Sequence, residues 1–219
     1  MVVGRYDKDD ELIAEVVATR RAQWKAWIPD QVMVVLGLGS RVERELNVEA
    51  CLTDGVPVFK RNGGGCAVVI DPGQVIVSAV LPVEGLTGNR HYFRLLTDWV
   101  ISGLERVGIG GVERAGTSDL AVGDRKVGGA CIHRTNNYLY YSTTLLATPA
   151  VELMERYLKH PPREPEYRRG RRHRDFVVGV ATVKPGLTAR QLKDAITNCE
   201  LGITNQELRI KGVNDDPQD

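Results

Sequence analysis

Apolar residues Leu12, Ile13, Val16, Val17, Trp24 and Trp27 recur at three- and four-residue steps and predict an amphipathic helix over 9–27. Residues 31–38 are a β-branched run ending in glycine, and 56–60 form a second short strand stopped by Asn62-Gly63, with a short helix at 47–53 between them. Residues 66–70 and 74–81, with Val75, Val77 and Val80, read as a hairpin joined by Asp71-Pro72-Gly73. A long helix follows at 93–107, carrying Leu95, Leu96, Trp99, Val100 and Leu104 at helical spacing and stopped by Gly108. Strands at 120–122, 128–133 and 138–145 come next, the first two divided by a Gly123-Asp124 turn. The chain then predicts a helix at 151–158, a charged loop at 163–174, a last helix at 188–198 and a frayed end at 214–219. This order points to an α+β domain with a largely antiparallel sheet flanked by helices.

At 219 residues with 42% hydrophobic and 26% charged content, the chain reads as one globular domain over 1–219. A net charge of +1 argues against a chain-wide field for nucleic acid or membrane, so partners must be sought in local charge. The first residues lack an apolar signal region and no run approaches a membrane span, which makes a cytoplasmic location the expectation. Cys51, Cys66, Cys131 and Cys199 are scattered without metal-ligand spacing, as are the four histidines, so neither disulfides nor zinc is indicated.

Two segments carry chemistry. The first is Lys60-Arg61-Asn62-Gly63-Gly64-Gly65-Cys66-Ala67-Val68, where a glycine run behind two cations lets backbone N–H groups approach a phosphate. The second is Asp119-Leu120-Ala121-Val122-Gly123-Asp124-Arg125-Lys126-Val127-Gly128-Gly129-Ala130, in which small residues surround a lysine able to place its cation on an oxyanion. Together they suggest an acyl-adenylate site.

On these residues the chain resembles the lipoate-protein ligase family, which shares its fold with biotin protein ligases and class II aminoacyl-tRNA synthetase cores. The family's Arg-Arg-x-Ser/Thr-Gly-Gly-Gly-Ala-Val-x-His-Asp motif is met by Lys60, Arg61, Gly64, Gly65, Ala67, Val68 and Asp71. Its Asn-Asp-Leu and Lys-x-x-Gly-x-Ala motif is met by Asp119, Leu120, Lys126, Gly129 and Ala130, and weaker similarity covers 34–73, 94–107 and 173–180. Lys60 stands where the family has arginine, Gly63 replaces the hydroxyl residue, Cys66 the third glycine and Ile70 the histidine. The resemblance implies activation of lipoate or octanoate by ATP and transfer of the acyl group to a lysine of an acceptor domain. It implies Lys126 as the catalytic residue, with Lys60, Arg61, Gly64, Gly65, Cys66, Ala67, Val68, Val69 and Asp119 at the nucleotide. The acyl slot would involve Leu36, Gly37, Leu38, Lys126, Gly129 and Ala130, and Mg²⁺ would find oxygen ligands on Asp119 or Asp71. The family's small C-terminal accessory domain has no counterpart after residue 180, which suggests a separate accessory protein.

Arg168, Arg169, Arg171, Arg172 and Arg174 form the densest charge in the chain, read either as a solvated loop or as a dock for an acidic lipoyl acceptor domain. Interleaved aromatics are too few for nucleic acid. Three other readings differ in chemistry. A cysteine-dependent octanoyltransferase of the same fold would use Cys66 or Cys131; a non-catalytic subunit would only hold lipoyl domains; a biotin ligase would need an arginine-glycine loop that is absent.

Overall fold

Gln74–Pro82 and Tyr138–Leu146 pair along their whole length at the centre of the larger sheet, and helices and a smaller sheet pack on its two faces. In the computed structural model, which describes residues 1–198, the chain runs β1 (Val3–Arg5), α1 (Asp10–Thr19), β2 (Gln23–Trp27), β3 (Met33–Leu36), α2 (Val42–Glu45), α3 (Val48–Thr53), β4 (Val58–Lys60) and β5 (Val68–Ile70). It continues through β6 (Gln74–Pro82), α4 (Asn89–Arg106), β7 (Glu113–Ala115), β8 (Asp119–Val122), β9 (Arg125–Arg134), β10 (Tyr138–Leu146), α5 (Val151–Tyr157), α6 (His173–Phe176) and α7 (Ala189–Asn198). The strands make a six-stranded antiparallel sheet in the order β2-β6-β10-β9-β8-β7 and a four-stranded mixed sheet in the order β1-β4-β3-β5. The α+β class with a largely antiparallel sheet is therefore correct.

Alternation along β6 and β10 sorts their side chains between two cores. Val75, Val77, Ala79 and Leu81 join Leu139, Tyr141 and Leu145 in one apolar cluster with Leu96, Val100 and Leu104 of α4 and Leu192 and Ile196 of α7. On the opposite face, Val80 and Tyr140 pack with Leu12 and Val16 of α1, while Ile76 meets Met33, Val35 and Ile70 of the smaller sheet. The smaller sheet buries its other face, Val34, Leu36, Val58 and Val69, with Met154, Tyr157 and Phe176. Among the described residues no helix is long and apolar enough to cross a membrane.

Two expectations need correction. The helix expected over 9–27 ends at Thr19, where Arg20 takes a left-handed φ of 55° and its N–H closes on Val16 O at 2.9 Å. Residues 23–27 instead form β2, paired antiparallel with β6, and Trp24, Ala26 and Ile28 pack on the main core with period two. The Trp24 ring stands edge-on to Trp99 at 5.5 Å, so its apolar signal belonged to a sheet edge. The hairpin expected from 66–70 and 74–81 is also absent. Residues 68–70 pair with β3, so Asp71-Pro72-Gly73 carries the chain from one sheet to the other. The elements β1, α2, β7 and α6 were not foreseen, and the end at 214–219 lies outside the described residues.

The crossover turn is tied down by Asp71, which is 3% exposed. One carboxylate oxygen accepts the Gly73 N–H at 2.7 Å and the other accepts Gln74 Nε2 at 2.6 Å and the Ala150 N–H at 3.3 Å. A Cβ on Gly73 would lie 2.0 Å from the backbone oxygen of Thr148, which cannot retreat without disturbing β10. Gly73→Ala is therefore expected to lower unfolding free energy by about 1–3 kcal/mol in urea titration, the usual cost of overpacking; an unchanged midpoint refutes the tight crossover.

Candidate functional site

A cavity of about 560 Å³ opens between the two sheets. Val35, Val69, Ile70, Ile76 and Leu146 supply apolar walls, and Lys126, Gly129, Thr144 and the 64–67 loop line it as well.

Lys126 reaches this space because β8 and β9 slip register between Leu120 and Ala121: Leu120 pairs with Gly128 and Ala121 with Lys126, leaving Val127 as the extra residue. The Lys126 carbonyl accepts the Val178 N–H at 2.9 Å, which fixes the backbone at the slip. Its Nζ lies 2.7 Å from Asp119 Oδ1, and the hydroxyl of Tyr167 donates to Asp119 Oδ2 at 2.9 Å. Burial and the neighbouring Asp119 charge push the Tyr167 phenol far above its ordinary range, so it remains a donor. A Cβ on Gly129 would stand 2.8 Å from Lys126 Nζ. Glycine is thus what lets the lysine lie across the strand.

The glycine loop is built by side chains that saturate its backbone. Arg61 donates through Nη1 to Val35 O at 3.0 Å and through Nη2 to Gly64 O at 2.7 Å and Cys66 O at 3.0 Å. Glu45, 5% exposed, accepts the Ala67 N–H at 2.6 Å and the Ser40 hydroxyl at 3.0 Å on one oxygen and the Arg41 N–H at 3.3 Å on the other. Gly65 has φ +90°, and a Cβ on Gly37 would fall 2.0 Å from Gly65 O. The glycine run expected to meet phosphate is therefore a rigid turn, with Arg61 spent on holding it.

The structure brings Lys126, Asp119, Arg61, Gly64, Gly65, Cys66, Ala67, Val68, Val69, Gly129 and Ala130 to the cavity. Other expected residues do not line it. Lys60 is exposed on β4; Leu36 points from β3 into the opposite core, because strand alternation gives the cavity to Val35; Leu38 is 57% exposed; and Gly37 serves close packing beneath the loop. Of the arginine run, Arg168 and Arg171 turn inward, leaving Arg169, Arg172 and Arg174 on the surface. Cys131 also lines the cavity, pressed against Gly63, and burial pushes its thiol up despite the opposing Arg61 charge. Glu45, Tyr167 and His173 were missed by sequence reasoning; a tyrosine beside the arginine run was visible there, but nothing marked the other two.

The carboxylates expected to ligate Mg²⁺ do not fit a protein-held ion. Both oxygens of Asp119 and both of Asp71 are engaged as described, and among the described residues no group of three or more His, Cys, Asp and Glu side chains could hold a metal.

The chain belongs to the lipoyl protein ligase A/B catalytic domain family, which matches it over residues 7–199. It is 36% identical over 142 residues, 64% of its length and 52% of the relative's, to an Aeropyrum pernix protein assigned to lipoate-protein ligase A. With a Streptococcus pyogenes lipoate–protein ligase it shares 32% identity over 162 residues, 72% of this chain and 46% of that one. The chain thus spans about half the length of these relatives. Its fold is similar to a lipoate-protein ligase A bound with ATP, at TM-score 0.72 and 18% identity over 86% of this chain and 74% of that one. It is equally similar, at TM-score 0.72 and 17% identity over 90% and 82%, to an archaeal structure from Thermoplasma acidophilum described as a bi-partite lipoate protein ligase and its E2 lipoyl domain.

His173, at the start of α6, adds a pH dependence. It lines the cavity with its Nδ1 3.8 Å from Glu155, and burial, aided by Arg168 and more weakly by His160 and Lys126, pushes its pKa down to about 4 against the opposing pull of Glu155. At neutral pH the ring is uncharged, so its contact with Glu155 is not an ion pair. The unfolded chain takes up this proton near 6.5 and the folded chain only near 4, so stability is complete above that window and falls as pH drops through it. His173→Gln should abolish roughly 2 kcal/mol of the stability lost between about pH 7 and pH 5. Parallel urea curves of both proteins at the two pH values measure this, and identical pH dependence discards it.

Proposed function

We propose that this chain is the catalytic domain of an ATP-dependent lipoate–protein ligase. The observation that carries the reading is Lys126, held by Asp119 over Gly129 at the edge of an apolar cavity and facing the Gly64–Ala67 loop. Family membership and the relatives' names support it, as does fold likeness to a ligase bound with ATP. In the first half-reaction a lipoate or octanoate carboxylate oxygen attacks the α-phosphorus of ATP and pyrophosphate leaves, giving an acyl-adenylate. Loop N–H groups meet phosphoryl oxygens at close range, since no Cβ stands over Gly64. In the second, a lysine amine of the acceptor attacks the acyl carbonyl, the C–O bond to phosphate breaks and AMP departs. The Lys126 ammonium stabilises the oxyanion and the leaving phosphate, while Asp119 and Tyr167 keep it aimed. Mg²⁺ in this reading arrives with the nucleotide, since the site's own carboxylates are committed.

The acyl acceptor is a lipoyl domain, and a separate accessory protein takes part, a reading supported by the archaeal structure similar in fold, which is described as a bi-partite ligase with its E2 lipoyl domain. A thiol-dependent octanoyltransferase needs a thiolate, and the burial that raises the Cys131 pKa opposes one.

Incubation of an acidic lipoyl domain with the protein, supplied in one tube with Mg-ATP and lipoate and in another with octanoyl carrier protein without ATP, separates these readings by intact mass. Lipoylation confined to the first tube is expected. Lys126→Ala should keep the fold and lower turnover by roughly 10²–10³, the loss typical of one oxyanion contact; near-normal turnover eliminates the assignment, and ATP-independent octanoyl transfer replaces it with the thiol mechanism. Arg169, Arg172 and Arg174 present the exposed positive face for the acidic acceptor. Acceptor KM should therefore rise severalfold from about 50 to about 300 mM salt while lipoate affinity stays constant, whereas a salt-indifferent KM removes the docking role.

A further inference from the structure

Five lysine and arginine side chains line the cavity: Arg61, Lys126, Lys159, Arg163 and Arg168. Lys159 donates to Glu43 O at 2.8 Å, Arg163 is exposed, and Lys126 is held on Asp119. Both Nη groups of Arg61 are committed to carbonyls of β3 and the glycine loop, and only its Nε, behind the fork, is buried without a partner. Arg168 differs. It sits at the end of the short 3₁₀ turn Glu166–Arg168, is 5% exposed, and lies nonetheless on the cavity wall among Glu164, Pro165 and His173. Its Nε donates to Arg171 O at 2.9 Å and stands 3.4 Å from Glu164 Oε2, while Nη2 is buried with no hydrogen-bond partner.

The surroundings hold this guanidinium in place. It stacks over the Phe176 ring at 5.0 Å from the centroid. Arg171 buttresses the same turn from behind, donating to Tyr167 O, Arg168 O and Asp124. Burying a charged N–H without an acceptor is unfavourable, and desolvation does lower the Arg168 pKa, yet arginine retains its proton in proteins. A planar fork with an unused donor, beside Lys126 and the Gly64–Ala67 loop, matches an incoming carboxylate or phosphate. Ion pairing to Glu164 fills only the Nε side.

We propose that Arg168 is the second anion-binding residue of the cavity, taking the oxygens of the reacting carboxylate–phosphate group while Arg61 serves as the loop's internal brace. This rests on the acyl-adenylate reading of the site. The same role separates Arg168 from Arg169, Arg172 and Arg174, which offer charge to a macromolecular partner, and from Arg171, which braces the turn.

The test is calorimetric binding of two matched pairs to the full chain, lipoate against the uncharged lipoamide and AMP against adenosine. Arg168→Met keeps an apolar stem on Phe176 and removes the charged fork. It should weaken lipoate, AMP or both about tenfold or more, the scale of a charge-assisted hydrogen bond, and leave lipoamide and adenosine within about twofold. Arg171→Met, which loosens the same turn without facing the ligand, should affect charged and neutral ligands alike. Equal losses across each pair in Arg168→Met, or the same charge selectivity in Arg171→Met, overturn the proposal. Should Arg168→Met not fold, Arg168→Lys keeps the charge and the stem but loses the fork. It must then show the charge-selective loss, and undiminished lipoate and AMP binding counts against the proposal. If the unaltered chain binds neither lipoate nor AMP, the acyl-adenylate reading itself fails, and this inference fails with it.

Discussion

The structure turns on holding an ammonium group at the edge of an apolar cavity. A lone lysine there would fold back to solvent. Asp119 holds it, at 2.7 Å from Nζ, and is itself kept in place by Tyr167 on its second oxygen. That clamp demands three features of the backbone. The register slip in β8–β9 turns the lysine toward the cavity, Gly129 leaves room for its side chain, and the chain just after α6 must close on the Lys126 carbonyl. A large part of β8, β9 and the 163–178 segment is accordingly arranged around one cation.

The glycine loop meets the opposite requirement, since its backbone must be exposed to a ligand and yet not collapse. Two charged side chains, half-buried Arg61 and buried Glu45, supply the rigidity from behind: Arg61 gathers carbonyls at positions 35, 64 and 66, and Glu45 gathers N–H donors at 41 and 67. Every donor or acceptor captured in this way is one that does not compete for the ligand. The loop thus presents Gly64 open while Gly65 and Gly37 lie in contact beneath it. Preorganisation of this kind has its energetic cost met during folding, not at the moment of reaction.

Much of this was readable from the chain, for reasons that differ residue by residue. Periodicity located the long β6 and β10 strands and helices α4 and α7, because each buries a full face and so carries its pattern unbroken. It failed at 20–27, where two tryptophans that pack on a sheet edge happened to fall on a helical stripe. It failed again at 71–73, where a Pro-Gly turn looks the same whether it closes a hairpin or switches sheets. Lys126 and the loop glycines were legible because their motifs are local. The buttresses were not. Glu45 and Tyr167 act from 22 and 48 residues away, and nothing in Arg41-Val42-Glu43-Arg44-Glu45 distinguishes the buried carboxylate from the exposed one.

The arginine run shows how far composition can mislead about where charge acts. As a string it is one patch; folded, it divides into two populations with different dielectric surroundings. Arg169, Arg172 and Arg174 stand in water, where their attraction for an acidic surface is long-ranged, additive and screened by salt. Arg168 and Arg171 bracket Phe176 at 5.0 and 5.3 Å and are held by backbone carbonyls, so salt screens them less than the exposed three. One short segment can thus turn charge both outward and inward, because left-handed Arg169 at φ 52° and Gly170 at φ 70° loop the chain out between inward-facing Arg168 and Arg171.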